Sequence, residues 1–318
     1  MEPNSKNIEG KKYISKDHLV IILALIIVAM ILIMGLSLRQ FLNKNSLSFD
    51  FFINNKIMVL KYKRPDYNFP NYLAIDKKEE EKKFRFPATM PKPPRELHIP
   101  ILMYHHIAYY PPTASQLQRG LTISPADFEQ QLSYLKQAGY QTVLLADLFK
   151  ALYYGQKLPL KPVILTFDDG YDNAYYNAFP ILKKYKEKGS FYLISDLIGQ
   201  PGRLTCPQAK EMLQAGMEFG SHSKTHPDFR RLLPETISFE SLSSKITIEK
   251  ALGDKIYFFC YPVGGYKPED FSILKNQGYL LALTATNGAT ENSDHPFELP
   301  RLRIWGGISL DDFRNLLP

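Results

Sequence analysis

The chain has 318 residues, 45% hydrophobic and 13% aromatic, enough for one sizeable folded domain plus an appendage. Its formal charge of +7 is unevenly placed: residues 1–98 carry 17 Lys+Arg against 10 Asp+Glu, and residues 99–318 carry 22 against 22. The neutral C-terminal part argues against nucleic acid as a partner, because binding it needs a basic face on the working domain.

Residues 1–18 include Lys6, Lys11, Lys12 and Lys16 and precede an uncharged apolar run, Leu19 to Leu38, long enough to span a bilayer. Flanking lysines of this kind favour a cytoplasmic N-terminus. The run is longer than the core of a usual signal peptide, and no clear small-x-small cleavage site follows. Residues 19–38 therefore read as an uncleaved signal anchor, giving a single-pass membrane protein with the remainder extracytoplasmic; a cleaved signal peptide is the alternative. Residues 39–98 form a connector. Within it Phe51, Phe52, Ile53, Ile57, Val59 and Leu60 suit a strand or short hairpin, and Asp76 to Arg85 is a mixed charge run suited to a solvated helix or tether. Pro87, Pro91, Pro93 and Pro94 stiffen the approach to the domain at 99–318.

In that domain Ile99–Tyr104 reads as the first strand, ending at His105-His106, and residues 109–124 as a loop. Ser124-Pro125 supplies an N-cap and a first-turn proline for a helix with Phe128, Leu132 and Leu135 on one face, ending at Gly139. Thr142–Leu145 reads as a strand and Ala146–Tyr154 as a helix. Val163, Ile164, Leu165 and Phe167 form a buried strand. A helix from Ala174 to Lys188, closed by Gly189, follows. The pattern continues with strand Phe191–Ile194, helix Pro207–Ala215, strand Met217–Gly220, helix Ser241–Leu252, strand Tyr257–Tyr261, helix Glu269–Asn276 and strand Leu280–Thr284. Such alternation predicts an α/β fold with a parallel sheet, open or closed into a barrel.

Two stretches carry chemistry. Asp168 and Asp169 stand at the end of the buried strand, where two carboxylates need a cation or a task. Adjacent residues point different ways, so one can hold a metal while the other handles a proton; alone, Asp-Asp-Gly also suits a solvated turn. His222 and His226 are four apart, and in a helical turn both imidazoles would face one ion. One Asp with two His is a common open metal site.

Thr166-Phe167-Asp168-Asp169-Gly170 and His222-Ser-Lys-Thr-His226 resemble the first two motifs of the polysaccharide deacetylases, the NodB homology domain of carbohydrate esterase family 4. Leu102-Met-Tyr-His-His-Ile107 resembles the membrane- or surface-attached branch that includes the poly-N-acetylglucosamine deacetylases. The resemblance covers roughly residues 99–305. It implies a distorted (β/α) barrel of about seven strands, with Asp168 as base and Asp169, His222 and His226 as ligands to a divalent metal. Zinc is the simplest choice, and cobalt or nickel suit the same ligands. The late family motif often holds a His; here Leu299-Pro-Arg-Leu-Arg-Ile-Trp305 has none. The related branch uses the His after Tyr in the early motif, which makes His105 the expected acid, with His295 an alternative and His106 structural. Phe259 occupies the place where many members carry an Arg that orients the base, and Arg301 is expected to supply that charge. Pro262 and Tyr266 are expected to shape the substrate groove. Tyr171, Leu283 and Trp305 are expected to contact sugar or line an acetyl pocket. Cys206 and Cys260 lack metal-site spacing; they can pair outside the cell, although Cys260 reads as a small apolar strand residue.

The resulting expectation is a metal-dependent N-deacetylase acting on N-acetylglucosamine units of a cell-surface polysaccharide, poly-β-1,6-N-acetylglucosamine ahead of peptidoglycan. An O-acetyl esterase using the same site and an inactive glycan-binding domain are the alternatives. No protein partner is legible.

Overall fold

The structure, a computed structural model, describes residues 85–318 and, of the preceding chain, only the backbone of Leu47–Ser48 and Lys61–Tyr62. These two pairs join antiparallel, Leu47 opposite Tyr62, and bracket the segment expected to form a hairpin. That segment, the expected membrane span at 19–38 and nearly all of the charged run lie outside the described residues. Among the described residues no helix is long and apolar enough to cross a membrane. The chain divides into two compact units, Met1–Ile75 and Asp76–Pro318.

The second unit is built on seven strands: β1 (Ile101–Tyr104), β2 (Pro162–Phe167), β3 (Ser190–Leu193), β4 (Glu218–Ser221), β5 (Phe258–Cys260), β6 (Leu281–Leu283) and β7 (Leu302–Arg303). Their order is β6–β5–β4–β3–β2–β1–β7, and every neighbouring pair is parallel. The last strand returns beside the first, which curls the sheet into a half-barrel. The stretch leading into β7 runs along β6, where Ala282 N–H donates to Pro296 O at 2.8 Å and Thr284 N–H to Leu299 O at 2.9 Å. The expected strand number holds, and the choice between open sheet and barrel resolves as this curled half-barrel.

Strand and helix alternate because each apolar strand is followed by a capped amphipathic segment. The helices are α1 (Gln116–Gly120), α2 (Pro125–Gln137), α3 (Leu145–Tyr154), α4 (Phe179–Tyr185), α5 (Cys206–Gln214), α6 (Pro234–Leu252), α7 (Asp270–Asn276) and α8 (Leu310–Leu316). In α2 the Ser124 side chain accepts from Asp127 N–H, Pro125 opens the first turn, and Phe128, Leu132 and Leu135 are buried. Gly253, left-handed at φ +76°, stops α6.

The period of two along the strands sorts the core into two layers. Leu102, Tyr104, Leu165, Phe167, Phe191 and Phe219 pack with Phe128 and Leu132 of α2. Ile101, Ile164, Tyr192, Phe258, Cys260 and Leu283 pack with Leu145, Leu148 and Phe149 of α3. Glu218, the first residue of β4, accepts from the Leu145 and Ala146 N–H groups at 3.1 and 3.0 Å, so it caps α3 at the end where the strands begin. On β2 the layer holding Ile164 continues through Thr166 to Asp168, which places that carboxylate inside the curl.

Several expected boundaries move for local reasons. The expected loop 109–124 contains α1, because Ser115 and Gln118 form a reciprocal capping box. The expected strand Thr142–Leu145 is only Gln141–Thr142, and Leu145 already belongs to α3. The single expected helix from Ala174 splits into a π-turn, Ala174–Ala178, and α4. It ends at Lys186, left-handed at φ +59°, not at Gly189. Gly189 is needed instead for close approach: a Cβ there would lie 2.9 Å from the Phe167 ring. The helix expected to start at Ser241 begins at Pro234.

Candidate active site

Asp168 leaves β2 still hydrogen-bonded as a strand, its N–H donating to Tyr104 O at 3.0 Å. Its side chain meets Arg301, whose Nη1 and Nη2 each donate 2.8 Å bonds to the two carboxylate oxygens. Arg301 is itself fixed by Nε donating to Thr284 O at 2.7 Å and Nη1 to Thr166 Oγ at 3.1 Å. Both residues are almost wholly buried, 3% and 2% exposed, so each charge is tolerable only because of the other. Burial alone would raise the Asp168 carboxyl; the Arg301 guanidinium outweighs it and holds the group at about 2.

Asp169 adopts φ +72°, and Gly170 follows at φ +68°. A left-handed residue is tolerable for Asp, and a Cβ on Gly170 would lie 2.8 Å from Leu193 Cδ2. This turn brings the second carboxylate to the histidines. Asp169 Oδ1 lies 3.4 Å from His222 Nε2 and 3.3 Å from His226 Nε2, and the two ring nitrogens are 3.2 Å apart. His222 Nδ1 lies 2.7 Å from Cys260 O, an acceptor, so in the neutral ring that nitrogen carries the proton and Nε2 presents a lone pair. Three lone-pair donors then converge on one point, an arrangement that demands a proton or a cation. One oxygen and two imidazole nitrogens fit a divalent metal.

The electrostatics say the same. Burial works against a charged His222, but Cys260 and Asp169 outweigh it and raise the ring well above its usual value. Burial and the neighbouring His222 push His226 down to about 4. Asp169 would be raised by burial, yet the histidines hold it below the ordinary carboxylate range. Without a metal, one shared proton is favoured among these donors, which marks the point where a cation is wanted.

The histidines do not share a helical turn, as their spacing suggests. The segment after β4 is a loop, with Ser223 and His226 left-handed at φ +65° and +66°. His222 N–H donates to Leu193 O at 2.9 Å and His226 N–H to Ser223 Oγ at 2.9 Å. The rings converge because the chain doubles back.

The other expected residues are arranged around this pair of clusters. His105, half-buried at the end of β1, faces both carboxylates; burial lowers its pKa and the two aspartates oppose that shift. His106 stacks on Tyr171 with centroids 3.5 Å apart, and its Nδ1 lies 2.8 Å from Asn173 Nδ2. Trp305, 40% exposed, continues β7 past Ile304, whose N–H donates to Met103 O; the register brings it level with His105. Leu283 is fully buried in the α3-facing layer. Pro262 is buried in a turn after β5. Tyr266 stacks on Tyr261 and donates to Glu298 Oε2 at 3.1 Å. His295 also bonds Glu298, at 2.6 Å, and takes no part in the Asp–His cluster.

Three contributors escape a reading of the sequence. Cys260 is free, as is Cys206. Cys260 joins the two clusters: its backbone O meets His222, and its Sγ accepts from Arg301 Nη2 at 3.2 Å and lies 3.6 Å from Asp168 Oδ2. Arg203 lies 4.0 Å from the Tyr171 ring centroid and donates to Asp169 O at 2.6 Å. Asn173 accepts from Ile107 N–H at 3.0 Å and so ties the Asp-Asp turn to the chain after His105. Asn173, five residues from Asp168, had the motif as a signal; the other two had none.

Comparison with known proteins gives a consistent result. The polysaccharide deacetylase family profile matches residues 155–282. YxkH of Bacillus subtilis (strain 168), which bears the same family designation, is 31% identical over 237 residues, 74% of this chain and 80% of that one. A poly-β-1,6-N-acetyl-D-glucosamine N-deacetylase of Staphylococcus aureus is 26% identical over 224 residues, 64% of this chain and 74% of that one. Among solved structures, the Streptococcus pyogenes deacetylase PplD in complex with acetate superimposes with a TM-score of 0.64 at 32% identity, over 71% of this chain and 99% of that one.

Proposed function

The chain belongs to the polysaccharide deacetylase family, hydrolases of N-acetyl amide bonds, and from that premise we propose a metal-dependent N-deacetylase acting on N-acetylglucosamine residues of a cell-surface polysaccharide. The observation that carries the reading is the division of labour between adjacent aspartates, Asp168 on Arg301 and Asp169 on two histidines. A pure binding site has no use for a buried carboxylate, ionised at rest, beside a candidate metal site.

Asp169, His222 and His226 would hold the divalent cation, zinc being the simplest fit, with cobalt and nickel suited to the same donors. Bound there, it supplies Lewis acidity, polarising the amide carbonyl and making a water easier to deprotonate. Asp168 accepts that water's proton; Arg301 keeps the carboxylate ionised and fixes its plane. His105 supplies a proton to the departing nitrogen. Asp168 and Asp169 beside it favour the protonated ring against the effect of burial. Trp305, exposed beside His105, offers aromatic surface for a sugar ring; Tyr171, its ring held between His106 and Arg203, is left to meet the substrate with its edge, and Pro262 and Tyr266 shape the groove.

The favoured polymer is poly-β-1,6-N-acetylglucosamine, supported by the likeness to the staphylococcal enzyme and by the early Tyr104-His105 motif. The apolar run 19–38 supports a single membrane anchor with the catalytic unit outside the cell. The test is acetate release by the detergent-purified, zinc-loaded full chain from β-1,6-linked N-acetylglucosamine oligomers and from peptidoglycan, beside Asp168→Asn. Release from the oligomers by wild type alone is expected. Release only from peptidoglycan overturns the polymer assignment, and release from neither overturns the reaction.

A further inference from the structure

The loop bearing His222 and His226 is held from below by one face of α6. Glu240, 6% exposed, turns its carboxylate on the two residues that precede His226. Its Oε2 accepts from Lys224 N–H at 3.0 Å and from Thr225 N–H at 2.8 Å, while Oε1 accepts from Thr225 Oγ at 2.8 Å. One turn further along the helix, Ser244 Oγ bonds Ser221 Oγ at 2.8 Å, and Ser221 Oγ accepts from Ser223 N–H at 3.3 Å. The helix therefore grips the loop before His222 and again before His226.

The two histidines do not depend on this grip equally. His222 is fully enclosed and has anchors of its own in Leu193 O and Cys260 O. The side chain of His226 is 28% exposed, and its N–H bonds to Ser223 Oγ, a group within the same turn. Its position is thus inherited from the turn. That turn contains two left-handed non-glycine residues, Ser223 and His226, a conformation that persists only where surroundings impose it. A carboxylate accepting from two successive backbone N–H groups makes charge-assisted bonds, the strong kind, and is well suited to imposing it.

We propose that Glu240 is a positioning residue of the cation site: through the Lys224–Thr225 amides it fixes the turn that places His226 Nε2 against Asp169 and His222. The proposal rests on the reading that Asp169, His222 and His226 hold a divalent cation. It predicts that Glu240 governs metal affinity without touching metal or substrate. Glutamine should largely replace it, because its amide oxygen can still accept both N–H groups and its NH2 can donate to Thr225 Oγ.

The experiment measures three quantities on the full chain: zinc affinity by chelator competition, the visible spectrum of the cobalt-loaded protein, and melting of the metal-free protein. Glu240→Ala should bind zinc about 10–100-fold more weakly, the usual scale for residues that orient metal ligands, with an altered cobalt spectrum. Glu240→Gln should recover most of the affinity, and Thr225→Val should fall between. Wild-type zinc affinity and an unchanged cobalt spectrum in Glu240→Ala overturn the proposal. So does a loss that glutamine does not restore. Should Glu240→Ala not fold, Glu240→Asp decides, its shorter carboxylate falling short of the two amides: weaker zinc at unchanged metal-free melting supports the assignment, and unchanged affinity overturns it. His226→Ala separates the two levels. If it binds zinc as tightly as wild type, the cation site itself is wrong; if it loses zinc while Glu240→Ala keeps it, only the role of Glu240 falls.

Discussion

The guanidinium of Arg301 lies edge to edge with the carboxylate of Asp168, each of two nitrogens 2.8 Å from its own oxygen, although 133 residues separate them in the chain. Neither group could be buried alone, and the pair brings the C-terminal strand β7 and the Asp-Asp strand β2 into one electrostatic unit. In the proposed reaction Arg301 would fill, from a different point in the sequence, the orienting place that Phe259 leaves empty.

Arg301→Ala should therefore strike stability and chemistry together. It strands a buried carboxylate, a change of roughly 3–5 kcal/mol for a broken buried ion pair. Urea denaturation should show a lowered midpoint, and acetate release should fall steeply; Arg301→Lys, unable to make the paired contacts, should recover only part. A normal midpoint with normal turnover would show that the pair does nothing.

Asp168→Asn separates proton transfer from metal binding. Turnover should drop by about 10²–10⁴-fold, the range for loss of a positioned base, while zinc affinity stays within a few-fold of wild type. Loss of zinc in this variant would mean that the two aspartates have the opposite roles.

Metal should stabilise the fold by mass action. With zinc at 100 times its dissociation constant the gain is about 2.7 kcal/mol, seen as a higher melting temperature that a chelator reverses. His226→Ala should lack that zinc-dependent rise and should melt close to the metal-free wild type, because its ring is the most exposed of the three donors.

Glu291 makes stability fall as pH rises. It is fully buried, and Oε1 has no partner, although Oε2 accepts from Ile99 N–H at 3.0 Å; burial raises its pKa from 4.5 to about 8. The folded state thus keeps a proton that the unfolded chain loses near pH 4.5. The stabilisation from this group is complete below pH 4.5 and is lost as pH climbs to about 8, with a slope of at most about 1.4 kcal/mol per unit. Melting between pH 5 and 8.5 should decline in wild type and decline less in Glu291→Gln; identical profiles would exclude Glu291 as the cause.

What the sequence discloses follows from how local each feature is. The buried strand before Asp168, the Ser124 cap of α2 and the His222–His226 spacing are set by near neighbours, and each was readable. The convergence of the two histidines is legible but not its means: four-residue spacing is met by a helical turn and equally by a tight loop with two left-handed residues, and nothing in Ser-Lys-Thr announces the loop. Arg301 was reachable only through the place that Phe259 left open. Cys260, Arg203 and Glu240 act through contacts 34, 41 or 92 residues away, or through backbone amides, and such pairings leave no periodic trace. Strand ends shifted by a residue or two because caps such as Glu218 on α3 come from distant segments.

The two-layered packing of the sheet has a bearing on how this protein can change over evolutionary time. Drift in the α2-facing layer, at Leu132 or Phe191, is separated from the reacting groups by the thickness of the sheet, so compensating pairs can accumulate there as nearly additive increments. The α3-facing layer contains Cys260, whose Sγ meets Arg301 Nη2 at 3.2 Å, so a methylene gained or lost at Ile164 or Leu283 should reach the guanidinium as well as the core. Sequence divergence tolerated in one half of the interior should thus register in the other half as altered turnover.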